Sequence, residues 1–196
     1  NQRLLGEPCD IHTPEIDKLA GRGVRLMRHY TEPWCLPSRS SLLTGLSPAR
    51  MAVNFVSMDV KETTLLFGQG PRSTKDTPFL GLATHLRDAG YFTAWVGKWH
   101  SVGRPDKFGF QHCFGSIFGA INDFYRPSLI RFSSFDSNKL KEGQKPLQGY
   151  ATKLEADEVV ALINSDAWSP KERTFFIYLA FHAPRKYFSK IIIFEG

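Results

Sequence analysis

Three times along this 196-residue chain a helix pattern runs into a strand pattern, and each strand pattern ends in a loop. In the first unit Thr13-Pro14-Glu15 combines a capping residue, a first-turn Pro and an early acid. Ile16, Leu19 and Ala20 follow at helical spacing, and Gly21 or Gly23 provides the stop. Val24 to Tyr30 then reads as a short strand with Val24, Leu26 and Met27 inward. In the second unit Thr77-Pro78 opens a helix with Phe79, Leu82, Ala83 and Leu86 on one side and Gly90 past its end. Tyr91 to Val96 is a strand of aromatic and β-branched residues, running into Gly97-Lys98-Trp99-His100. In the third, the pattern predicts a helix over Tyr150 to Ile163, with Leu154, Val159, Leu162 and Ile163 apolar. Thr174 to Phe181 is nearly all apolar, the mark of a strand buried on both faces. Repetition of helix, strand and loop predicts an α/β fold with a mostly parallel sheet flanked by helices. Ligands gather at the C-terminal strand ends of such sheets. Residues 51–76 and 101–147 read as loops, the second set on the active side.

With 42% hydrophobic and 22% charged residues the chain has the makings of one domain with a real core. No stretch approaches the roughly 18 apolar residues of a membrane span, and none is expected. The net charge of +6 favours anionic ligands, but Lys and Arg are scattered and no nucleic-acid motif is present, which argues against nucleic acid. The three cysteines, Cys9, Cys35 and Cys113, lack metal-ligand spacing. If Cys35 is committed to chemistry, Cys9 and Cys113 are left either to pair or to be buried thiols. The chain starts at Asn1 rather than Met and reads as one whose beginning is missing.

The segment from Cys35 to Gly45 carries the most chemistry. Pro37 suits the first turn of a helix, Leu42 and Leu43 supply a buried face, and Gly45 is a natural C-terminal stop. Cys35 is therefore expected at a helix N-terminus, where free N–H groups and the helix dipole favour an anion. Arg39, one turn on, adds a permanent charge and a planar fork for oxyanions. In Gly97-Lys98-Trp99-His100, Lys98 offers a cation for an oxyanion and His100 an imidazole for a proton. Their spacing of two would put both on one side of an extended segment. Taken singly, each string has a plainer reading: a buried Cys before a helix, a solvated Lys, a core His.

Together, Cys35-Leu36-Pro37-Ser38-Arg39 with Leu43-Thr44-Gly45, and Gly97-Lys98-Trp99-His100, resemble the signatures of the type I sulfatases of the alkaline-phosphatase-like superfamily. Weaker similarity covers most of the chain, through residues 13–20, the Phe108 to Gly115 segment with Gln111 in place of the usual acid, residues 119–127, residues 150–163 and residues 175–184. The resemblance implies oxidation of Cys35 to formylglycine by a formylglycine-generating enzyme, and hydrolysis of sulfate monoesters. The hydrated aldehyde would attack sulfur and then expel sulfate as the aldehyde reforms, splitting one hard displacement into two easier steps. By the same resemblance Cys35, Arg39, Lys98 and His100 are catalytic, Lys98 also binds the sulfate, and a calcium ion is held in part by Cys35. The compartment implied is secreted, periplasmic or lysosomal, without a choice among them.

The departures from the family pattern bear on activity. Its two acidic metal-ligand pairs would lie before Asn1 and beyond Gly196, so residues 1–196 read as an incomplete N-terminal catalytic portion without the first strand and the C-terminal part. Taken alone, the chain is expected to bind calcium weakly or not at all and to show no appreciable turnover, because the ion wants about six to eight oxygen ligands. Should it bind tightly, Asp10, Asp17 and Asp123 are the first residues to examine. Arg185 stands where the family has a histidine; it can bind an anionic substrate but cannot serve as a general acid near neutral pH. His182, three residues earlier, reads as ordinary for the family rather than as a replacement. Two rival readings stand beside the sulfatase: a phosphonate or phosphate monoester hydrolase of the same superfamily, and a truncated, non-catalytic sulfatase-like chain.

Overall fold

The computed structural model describes residues 12–51, 81–121, 123–133, 146–165 and 174–184. The chain divides into two units, residues 1–31 and 32–196. In the first, helix α1 (Pro14–Arg22) has Pro14 and two acids in its opening turn and Gly23 as its C-cap, as the sequence predicts. The Thr13 hydroxyl donates to Asp17 Oδ1 at 3.2 Å rather than to a backbone group. The helix buries none of its residues. Residues 24–30 form no strand, and Val24 is 89% exposed. An extended segment becomes a strand only when a neighbour takes up its N–H and C=O groups, and the described residues of this unit include no strand to do so.

The second unit is built on a four-stranded sheet of β1 (Phe92–Lys98), β2 (His112–Ser116), β3 (Ile130–Ser133) and β4 (Phe175–Ala180), in the order β3-β2-β1-β4. β1 runs parallel to both β2 and β4, whereas β2 and β3 are antiparallel. The sheet is therefore mostly parallel, as expected. Helix α2 (Cys35–Thr44) precedes it, α3 (Leu82–Asp88) leads into β1, and α4 (Ala151–Asn164) leads into β4.

Every residue of β1 is buried, which marks it as the central strand. Its alternation feeds two cores. Trp95 packs with Leu36 and Leu43 of α2, Ala83 of α3, Trp99, Val102 and Phe108. Val96 packs instead with Phe114, Ile121, Leu129 and Ala151 of α4. Helices α2 and α3 thus cover one face of the sheet and α4 the other. Trp99 anchors the first core through edge-to-face contacts with Trp95, Phe108 and Phe110, at centroid distances of 5.5, 5.4 and 5.7 Å.

Several expectations are corrected. Residues 101–147 include β2, β3 and a 3-10 turn over Pro105–Phe108, so they are not all loop. β2 is five residues long and contains Gly115; its conformation comes from the register with β1, which local composition does not encode. β4 falls inside the predicted 174–181, but Phe175 is 43% exposed and the rest half-buried. Among the described strands it is an edge, paired with β1 alone. In α2 Leu43 is 2% exposed but Leu42 63%, so only one of the two leucines faces the core. Helix α3 is described from Leu82, and Thr77 to Phe79 lie outside the described residues.

Candidate active site

Helix α2 places Cys35 where the sequence predicts, as its first residue. Trp34 is the extended N-cap, and its carbonyl accepts from the Ser38 N–H at 3.2 Å. No acid lies in the first turn, so no carboxylate there opposes the positive end of the helix. The helix stops at Gly45, whose φ of +70° is left-handed and whose N–H donates to the Ser41 carbonyl at 2.8 Å.

The second motif lies at the C-terminal end of β1. Lys98 is the last strand residue and is buried. The backbone ladder toward β2 continues past it, with the Trp99 N–H donating to Ser116 O at 2.9 Å and the His100 N–H to Ile117 O at 3.1 Å. His100 has a φ of +39°, alone among the described non-glycine residues in being positive. The extended alternation expected to pair Lys98 with His100 therefore ends at the strand. Tertiary contacts instead tie His100 to Cys35 and the Lys98 carbonyl to Arg39.

Cys35 Sγ and His100 Nδ1 stand 3.0 Å apart. Arg39 Nη1 donates to the Lys98 carbonyl at 3.0 Å and to the Tyr178 hydroxyl at 3.1 Å. Ser40 Oγ lies 3.1 Å from Ser101 Oγ and accepts the Val102 N–H at 3.1 Å. Trp99 Nε1 donates to Gly103 O at 2.8 Å and fixes the same loop. The first turns of α2 are thereby tied to the end of β1 at three successive places. The result is a thiol at a helix N-terminus, an imidazole in contact with it and a guanidinium anchored to the lysine's own backbone. Such a set can move a proton at Cys35 beside fixed positive charge.

Burial raises the Tyr178 phenol above its ordinary range, against a smaller opposing effect of the Arg39 charge. Burial likewise pushes the Cys113 thiol well up, with Asp106 adding to the effect and Arg104 opposing it. Cys113 is a free, buried thiol, and Cys9 lies outside the described residues. His182 is buried and paired through Nδ1 with the fully buried Glu155, which also accepts its backbone N–H at 3.4 Å. Arg185 lies outside the described residues.

Among the described residues no group of three or more His, Cys, Asp or Glu is gathered to hold a metal. Asp17 is engaged by Thr13, and Asp123 accepts the N–H groups of Tyr125 and Arg126 at 2.8 and 3.0 Å, which lowers its carboxyl below the usual range. Asp10 lies outside the described residues. Cys35 offers a single ligand atom, and a hard cation needs several oxygens.

Sequence reasoning missed the supporting residues Tyr178, Ser40 and Ser101. Tyr178 had a usable signal, since its hydroxyl is the sole polar tip in the run Phe175–Ala180 and needs a partner when buried. The two serines carry no comparable mark.

The chain is 29% identical to an arylsulfatase of Klebsiella aerogenes over 183 residues, covering 89% of the chain and 38% of that protein. It is 31% identical to the N-acetylgalactosamine-6-sulfatase of Homo sapiens over 204 aligned residues, covering 92% of the chain and 37% of that enzyme. Among solved structures it is similar to BT4656 in complex with its substrate D-glucosamine-2-N,6-O-disulfate, with a TM-score of 0.61 and 26% identity, covering 90% of the chain and 30% of that structure. The chain spans a little over a third of the length of these two enzymes. The fold is the alkaline-phosphatase-like one of these proteins, present in part. The family model for sulfatases matches residues 2–190, and the chain belongs to the sulfatase family.

Proposed function

We propose that residues 1–196 carry the cysteine-centred part of the catalytic domain of a sulfate monoester hydrolase. The observation that carries the reading is the contact of Cys35 Sγ with His100 Nδ1 at 3.0 Å, at the N-terminus of α2. The relatives named above include an arylsulfatase and sulfatases of amino-sugar sulfates; a sulfate group is what those names share, and that is the substrate class proposed.

Cys35 is the proposed site of conversion to formylglycine, which when hydrated supplies a hydroxyl nucleophile for sulfur. The surroundings of Cys35 fit a small polar group, since its side chain is half-buried and faces an imidazole. His100, whose Nδ1 lies 3.0 Å from Sγ, is the proposed acceptor for the proton of a hydroxyl on that side chain. Arg39, held at Lys98 O and Tyr178 Oη, keeps a fixed positive charge one turn from Cys35. Lys98 is assigned the sulfate charge, with Arg185 as a second anion-binding residue. No step is derived through calcium.

The test is expression of the full-length gene product together with a formylglycine-generating enzyme. Peptide mass spectrometry should show the aldehyde at Cys35, and paired aryl sulfate and aryl phosphate assays should show preference for sulfate. A Cys35 peptide that remains a thiol beside a demonstrably active converting enzyme would sink the proposal. Faster turnover of the phosphate ester would favour the phosphohydrolase reading.

A further inference from the structure

His100 reaches Cys35 from an unusual backbone conformation. A φ of +39° brings the Cβ of an L-residue too close to its own carbonyl, and non-glycine residues rarely adopt it. Conformations of this kind persist where the surroundings over-determine them. Part of those surroundings is Gly119. A Cβ there would lie 2.8 Å from His100 Cε1, 2.9 Å from Nε2 and 3.0 Å from Cδ2. The distal half of the ring therefore rests against the bare Cα of Gly119, while Nδ1 faces Cys35. The φ of Gly119 lies outside the left-handed range, so its backbone would accept alanine. What excludes a side chain there is space alone.

We propose that Gly119 is a positioning residue for His100: its missing side chain is the room in which the imidazole stands with Nδ1 against Cys35. Any larger residue turns the ring away from the sulfur, or from the group made from it. The proposal rests on the reading of Cys35 as the reacting residue, but not on which ester is cleaved.

The test uses the unconverted thiol. An imidazole nitrogen 3.0 Å from the sulfur can take the thiol proton as the sulfur is alkylated, so losing or displacing the ring slows labelling. The chain is treated with iodoacetamide, and labelling of Cys35 is followed by peptide mass spectrometry. His100→Ala should slow labelling by roughly tenfold, on the scale of a lost imidazole partner. Gly119→Ala should slow it to about the same degree. In the His100→Ala background Gly119→Ala should change nothing further, because no ring remains to be displaced. Labelling of Gly119→Ala at the wild-type rate would overturn the proposal, as would an equal further slowing in the His100→Ala background. Should Gly119→Ala alone fail to fold, recovery of folding in the double variant supports the proposal and continued failure overturns it. A chain that labels as expected, from a protein that never hydrolyses a sulfate ester, refutes the proposed function and leaves this inference standing.

Discussion

At the scale of single residues, the roles proposed for Lys98 and Tyr178 make separable predictions. Lys98→Ala in the converted full-length protein should lower turnover of a sulfate ester by about 100-fold or more, the scale of one aimed transition-state contact. Unchanged turnover would return Lys98 to a purely structural role at the end of β1. Tyr178 touches the chemistry only through Arg39, whose Nη1 it receives at 3.1 Å. Tyr178→Phe keeps the ring and removes that acceptor, while the Lys98 carbonyl still holds the guanidinium. Turnover should fall by roughly tenfold, and chemical denaturation should show a loss of about 1.5–3 kcal/mol, the range for a hydrogen bond to a charged group. Equal turnover of the two proteins would show that Lys98 O alone fixes Arg39. Legibility differs along the same line. Cys35, Arg39, Lys98 and His100 could be picked from the sequence because reactive residue types sit in two short strings. Gly119 could not, because its contribution is an empty volume beside a residue 19 positions earlier.

Among the elements, α2 shows how far hydrophobic pattern alone can be trusted. Leu42 and Leu43 are adjacent and chemically identical, yet one is exposed and the other joins Leu36, Trp95 and Trp99 in the core. Leu43→Ala should cost about 2–5 kcal/mol, as for a buried leucine that leaves a cavity. Leu42→Ala should stay within about 0.5 kcal/mol. Denaturant midpoints of the two variants decide this, and similar losses would contradict the burial of α2 described here. The start and stop of α2 were legible because Pro37 and Gly45 act locally. Residues 112–116 were not, since His, Cys, Phe, Gly and Ser carry no strand alternation and become β2 by pairing with Ala94 to Lys98. Residues 24–30 show the converse: β-branched and apolar residues suggested a strand, and the ladder partner it requires is missing from the described part of that unit.

For the molecule as a whole, one buried and one half-buried acid bear on stability at alkaline pH. Burial raises both Cys113 and Tyr178, so the folded chain keeps protons that the unfolded chain releases near pH 8.5 and pH 10. A folded-state value above the unfolded one gives stability that is complete below the unfolded value and lost as pH rises toward and through the folded value. Urea midpoints should therefore decline from about pH 8.5 upward. Cys113→Ala should flatten the first part of that decline, and Tyr178→Phe the part above about pH 10. Identical slopes in all three proteins would place the alkaline weakness elsewhere. The spacing of the contact between Cys35 and His100 has a consequence in time. The two residues are 65 positions apart. At roughly 5–20 residues per second of synthesis, the cysteine leaves the peptidyl-transferase centre roughly 3 to 13 s before its imidazole has been made. Throughout that interval the nascent chain presents Cys35-Leu36-Pro37-Ser38-Arg39 as a plain peptide, with neither His100 at its sulfur nor the Lys98 carbonyl on its arginine.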